Sequence, residues 1–428
     1  MPHDSSLHPL RPLRRCVRAA TLWLLGIVLL LPGIVQGQGA IPVEPDPTVR
    51  GLLERIEEER GIDEEALLDA LLAAGPVVEQ RFLDYVALPA PERAFTLDAA
   101  LEGSLRSQLG RLPRLVRTRI ADGESEGQRE CLLALRTLER FGAATDVALL
   151  FGLASPADPE LPFDSRLASQ LEHSLAAILS RDVSAWAGLT RTFPALDERV
   201  TLIVLRAVSE AASPQAMDFL GELLGKDAGQ DVIVLAQLGR VVEFVRAAPS
   251  QRTLDYVHES LESMDPQVRR EACLVVGRLE DSQAVALVIE LLADEDPLVA
   301  ENAYWALKRI TRESLSDDID RWRLWYDREL AWWQTEASDL LTALHGEEIA
   351  EVAAALRGLV GHGLFRHELA AEVAVELRHP NGAIVAQACA VLGVLRSRGV
   401  TDELQQLLEA ASESVRPHAE AALARIRD

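Results

Sequence analysis

Apolar positions in this chain return in combs that step by four, three, one and three residues. Val268, Ala272, Val275, Val276 and Leu279 form one, and Val299, Ala303, Ala306, Leu307 and Ile310 repeat it 31 residues later. A second pair lies downstream: Ile384, Ala388, Val391, Leu392 and Leu395, then Val415, Ala419, Ala422, Leu423 and Ile426. This spacing puts all five side chains of a comb on one stripe of an α-helix. A unit of 31 residues is too short to bury its own stripe, so it must lean on its neighbours. The pattern predicts a right-handed α–α superhelix of short antiparallel helix pairs sharing one continuous apolar seam.

Between the combs, weaker periodicity predicts further pairs from 127 onward: 129–141 with 145–153, a helix around 171–179 with 186–193, 198–210 with 214–224, and 232–246 with 250–263. Ser155 to Phe163 is rich in Pro and Asp and reads as a loop. Residues 49–126 carry helical spacing without a comb, as a helical cap or degenerate repeats. Asp265-Pro266 and Asp296-Pro297 each place a capping carboxylate before a proline at the first helical position, where its missing N–H costs nothing.

The run D-P-x-V-R-x-x-A-x-x-x-x-G, written here as Asp265, Pro266, Val268, Arg269, Ala272 and Gly277, is followed by Asp281, Ala284 and a leucine-rich second helix. It resembles the short bacterial form of the HEAT repeat, also described as phycobilisome-lyase-type HEAT-like repeats. The resemblance covers 198–310 and 347–427 most clearly, and 127–197 less so. It implies an armadillo-like helical solenoid and a scaffold or adaptor role more often than an enzymatic one. The motif is specific for fold and weak for function.

Val299 and Ile384 are separated by 85 residues, which is not a multiple of 31, so 311–346 reads as an insertion between repeats at 127–310 and 347–428. It gathers Trp322, Trp325, Tyr326, Trp332 and Trp333. Two readings compete. The rings either pack over the end of the preceding repeat and patch a misfit, or stay exposed as a partner-binding hot spot.

The N-terminus changes the compartment. Arg11, Arg14, Arg15 and Arg18 precede an apolar run that Pro32 and Gly33 end, and small residues follow at 35–37. This predicts a signal peptide at 1–37 and an exported, periplasmic or extracellular protein, with a Pro-rich linker at 38–48. The alternative is an inner-membrane anchor at 19–35, although that run is short for a span of ~20 residues. The chain carries a formal charge of −24 over 428 residues, which repels phosphate backbones and excludes nucleic acid as a partner class. Cys131, Cys273 and Cys389 lie far apart along an elongated array, beside packed alanines, and read as buried free thiols.

Catalytic chemistry finds little support in the sequence. Gly221 to Lys226 is one residue short of a phosphate-binding loop, and Gly361-His362-Gly363 reads as a turn between helices. His362, His367 and His379 lack metal-ligand spacing, and no G-x-S-x-G elbow occurs. The expectation is therefore a non-catalytic scaffold without metal or cofactor, holding a protein or peptide on a concave surface of second helices. The alternative is an enzyme or a lyase-like cofactor-loading protein.

Overall fold

The computed structural model describes residues 42–124, 127–154, 164–245, 247–410 and 413–427. The expected signal peptide, the start of the Pro-rich linker and the loop at 155–163 lie outside the described residues.

Helix starts are set chemically. Asp265 Oδ1 accepts from the Gln267 N–H at 2.8 Å, and Asp296 Oδ1 from the Leu298 N–H at 2.8 Å. Asp46, Asp63, Asp98, Asp164, Asp197, Asp227 and Asp318 cap their helices in the same way. Each cap contributes on the order of 1 kcal/mol by satisfying backbone donors that have no partner inside the helix. Part of the chain's acidity is thus capping chemistry.

The capped helices assemble into two layers. First helices Gln128–Phe141, Ser165–Arg181, Glu198–Ala211, Ala228–Phe244, Pro266–Leu279 and Pro297–Thr311 each pack on the next. Second helices Val147–Ala154, Ala185–Thr192, Pro214–Leu223, Gln251–Leu261 and Val285–Glu290 form the other layer. Ahead of them, Pro76–Ala87 packs on Gln128–Phe141, and Ala99–Asp122 packs on both Gln128–Phe141 and Val147–Ala154. The result is an all-α superhelix. Every comb residue is buried except Leu279, which is half-buried at a helix end. Val43, in the predicted linker, is tied down: its N–H donates to Glu92 O at 2.8 Å and its carbonyl accepts from Ala94 N–H at 3.0 Å.

Two motif residues gain a physical reason. A Cβ on Gly277 would lie 2.4 Å from Trp305 Cζ3 and 3.1 Å from the Ala306 Cα, so glycine is what lets the next first helix approach. Gly393 meets Ala422 Cα at 3.1 Å in the corresponding place of the downstream pair. Arg269 grips Asp294 with both edges of its fork, Nε to Oδ2 and Nη2 to Oδ1 each at 2.7 Å, while Nη1 donates to the Ser263 carbonyl. Asp294, read from sequence only as part of an acidic cap or solvated run, is this clamp's buried acceptor, and Arg269 lowers its pKa.

The continuous seam is where expectation and structure part. Buried apolar side chains form two clusters, one from Val49 to Leu364 and the other from Trp332 to Ile426, with Phe365 packed against both. After Pro297–Thr311 the chain forms Ile319–Thr335 and Ala337–Leu344, then a short first helix, Ile349–Gly358, which stacks on Gly382–Leu395. Val352, Leu356 and Leu359 of that helix are buried, but Gly361 at φ +107° stops it before a full comb is made. Residues 363–365 take its place against Pro297–Thr311, so close that a Cβ on Gly363 would lie 2.2 Å from the Thr311 carbonyl oxygen.

Glycine substitutions check the packing. Gly277→Val should cost about 1–3 kcal/mol by overpacking. Gly110→Ala, in a helix with nothing within 4 Å of the added methyl, should stabilise by about 0.5–1 kcal/mol. Urea melts of the two variants should therefore move in opposite directions from the parent.

Candidate binding cleft

Where the seam breaks, three first helices end close together and their last carbonyls need donors. Arg366, 1% exposed, supplies them. Its Nε donates to Ile310 O at 2.7 Å, its Nη1 to Arg396 O at 2.9 Å and Leu395 O at 3.2 Å, and its Nη2 to Glu280 Oε2. Glu280 is itself buried and also accepts from Arg312 Nη2 at 2.9 Å. Glu280, Arg312 and Arg396 are the left-handed residues that close their three helices, at φ 57°, 61° and 51°. Glycine is the usual occupant of that conformation. Here the side chain of Glu280 and the backbone of Arg396 are what the joint uses.

Around this joint the chain closes on itself. The ends of Ala228–Phe244 and Pro266–Leu279 face Arg398–Val400, the start of Thr401–Ala410 and the end of Arg416–Arg427 across a cleft of about 740 Å³. Val242, Phe244, Val245, Pro249, Leu279 and Ile426 provide apolar lining, and Phe244 is 74% exposed. Arg278, Arg398, Arg427, Glu243, Glu280, Asp281, His367 and Asp402 provide the charged and polar part. The expected concave surface of second helices is thus not where this cleft lies. It sits at the carboxyl ends of first helices, because the broken seam lets the C-terminal repeats swing back over the central ones.

The cleft's carboxylates are already engaged. Glu280 holds Arg366 and Arg312. Asp281 Oδ2 lies 2.6 Å from His258 Nε2 and its Oδ1 accepts from Gln283 N–H at 3.0 Å. Glu243 lies 4.0 Å from Arg278, and Asp402 has an interaction of its own. Arg398 and Arg427 are exposed, and neither guanidinium has an ion-pair partner among the described residues.

Histidines take structural positions. The Asp281 hydrogen bond raises the pKa of His258. His367 Nδ1 is 2.8 Å from Ser397 Oγ, while its Nε2 is buried, 3.6 Å from Glu280 Oε2. Burial and the neighbouring Arg366 pull its pKa down to about 4, so the ring is neutral near pH 7. His362 stacks on Trp332 with ring centroids 3.3 Å apart and bonds Glu329 at 3.0 Å. His379 Nδ1 accepts from Asn381 N–H at 3.0 Å. Among the described residues, no group of three or more His, Cys, Asp or Glu is placed to hold a metal ion. Cys131, Cys273 and Cys389 are buried and unpaired, and burial pushes the Cys273 thiol up to about 12 and Cys389 to about 11.

The five aromatic residues of the insertion gather at the joint rather than in the cleft. Trp322 is fully buried and donates Nε1 to Ser316 O at 2.8 Å, with Trp325 edge-on to it at 5.6 Å. Tyr326 is half-buried against the first core cluster. Trp332 is buried on His362, and half-buried Trp333 stacks on Phe365 at 4.2 Å. Phe244, Arg398 and Arg427, which shape the cleft, carry no periodic signature. The unpaired arginines following the third comb were the only sequence trace of it.

A family model described as HEAT repeats matches residues 254–321. Those residues are HEAT repeats. They span the Arg269–Asp294 clamp, the Gly277 approach and both Asp-Pro caps. A search of curated proteins returns no match. Among solved structures, the karyopherin Kap121p bound to the extreme C-terminus of the phosphatase Cdc14p aligns at 13% identity and TM-score 0.35, over 85% of this chain and 45% of that one. A structure of the Pds5–Scc1 complex aligns at 13% identity and TM-score 0.24, over 90% and 71%. The chain spans under half the length of the karyopherin. Among the described residues, no helix is long and apolar enough to cross a membrane.

The two cleft histidines respond to pH with opposite signs. His258 has a raised folded pKa, so its stabilisation is full below its unfolded value near 6.5 and fades as pH rises through the folded value. His367 has a depressed one, so the fold loses stability as pH falls from about 6.5 to about 4. His258→Gln should therefore cost more melting temperature at about pH 5.5 than at about pH 8.5, and the cost of His367→Gln should shrink on acidification. Thermal melts of both variants against the parent check the two signs.

Proposed function

We propose that this chain is an exported, non-catalytic scaffold of short-form HEAT-like repeats that binds a protein or peptide in the cell envelope, and that the cleft between central and C-terminal repeats is the receptor. The observation that carries this reading is the exposed Phe244 beside two unpaired arginines in a cleft of about 740 Å³, on a framework whose other charges are paired off. Open apolar surface rimmed by polar groups marks interaction sites. The array around it is stiffened by a buried joint, so little ordering opposes binding there.

The cleft's titratable groups favour binding over catalysis. His367 is the one neutral base lining it, yet its Nε2 is shielded from solvent and its pKa of about 4 makes it a weak acceptor at neutral pH. Glu280 and Asp281 are spent on structural partners. Export rests on the arginine-flanked apolar run near the N-terminus.

A second location for partner contact is the half-buried faces of Trp325, Tyr326 and Trp333, next to Leu324 at 52% exposure. Photocrosslinking amino acids placed at Phe244 and at Leu324 in the native cell separate the two. A discrete protein adduct from position 244 is the expected result. An adduct from 324 alone would move the site to the insertion, and none from either would contradict the scaffold reading.

A further inference from the structure

The cleft's charge is unusual for this molecule. The chain as a whole is strongly acidic at −24, and most of its arginines sit within reach of a carboxylate. Arg398 and Arg427 do not, although they face into the same cleft. Arginines near helix carboxyl ends often serve to neutralise terminal carbonyls. At this joint, however, Arg366 already donates to Ile310 O, Leu395 O and Arg396 O, so the carbonyls are satisfied without Arg398 or Arg427. The nearby cations Arg312 and Arg366 are held by Glu280 alone, and Arg398 is close enough to both to lower their pKa values. An additional carboxylate is what this arrangement lacks. Beside it lie Phe244 and Val245, an apolar shelf with open solvent over the phenyl ring.

We infer that the cleft takes an acidic peptide segment of a partner, a carboxylate seated between Arg398 and Arg427 and an adjacent apolar side chain laid on Phe244. This rests on the scaffold reading and adds the chemistry of the partner. Arginine forks suit carboxylates because two parallel N–H donors meet two oxygens. The surrounding negative field of the protein repels acidic peptides everywhere else, so the cleft selects by contrast as well as by attraction.

Fluorescence anisotropy on the full chain tests it with three labelled peptides of alternating Glu and Leu, Gln and Leu, or Lys and Leu. The Glu–Leu peptide should bind, the Gln–Leu peptide about tenfold more weakly, and the Lys–Leu peptide not at all. Arg398→Glu with Arg427→Glu should weaken Glu–Leu binding by at least about tenfold at an unchanged melting temperature, since both side chains are exposed. Phe244→Ser should weaken it about threefold or more without altering the charge preference. Failure of the Glu–Leu peptide to bind, equal binding of the Glu and Lys peptides, an indifferent charge-reversed variant, or complete displacement by millimolar inorganic phosphate would each overturn the inference. The scaffold reading is read out separately. A Phe244 crosslink that persists in the Arg398→Glu, Arg427→Glu background sinks the acidic-peptide inference alone, whereas loss of all crosslinks in the parent sinks the scaffold as well.

Discussion

One buried guanidinium holds the two halves of this solenoid in register. A regular stack of helix pairs needs no such device, because each apolar stripe meets the next and the array grows by repetition. At residue 311 the repetition stops, and three helix ends are left with carbonyls facing one small volume. Arg366 satisfies carbonyls on two of these helices and the Glu280 carboxylate on the third, using one planar group. A buried pair of this kind adds little net energy over well-packed carbon, since desolvation offsets most of the attraction. What it adds is geometry, because only one mutual placement of the three helix ends satisfies every partner.

The cleft follows from that placement. With the C-terminal repeats pinned by Arg366, Arg398 and Arg427 come to face Phe244, which belongs to a repeat far earlier in the chain. The tryptophans act on the opposite side of the same joint. Trp332 on His362 and Trp333 on Phe365 fill the space that a full-length first helix would have occupied. Glu329 completes it, accepting from the Leu364 N–H at 3.3 Å while bonding His362. The insertion thus sets the angle at which the two apolar clusters meet.

Most of the fold was legible in the sequence, because its causes are local. A comb of five positions, a capping aspartate and a proline act within a few residues of one another. The 85-residue gap between Val299 and Ile384 also announced that the stack is interrupted. What it did not disclose was the repair. Helix Ile349–Gly358 keeps only Val352, Leu356 and Leu359 of the comb, too few to separate from ordinary helical spacing. The partners of Arg366 lie 86, 56 and 30 residues away, beyond any periodic signal. The cleft was invisible for the same reason: Phe244, Arg398 and Arg427 become neighbours only after the chain has turned. One trace was present, in that Glu280, Arg312 and Arg396 each follow closely on the last apolar residue of a comb, where glycine is more usual.

A double-mutant cycle across the joint probes this account most directly, with Glu280→Gln, Arg366→Met and the pair compared by urea unfolding of the full chain. Each single change should cost about 3–5 kcal/mol by stranding a buried charge, and the pair should cost clearly less than the two together. Small, additive losses of under about 1 kcal/mol would mean that the halves are held by something other than this pair.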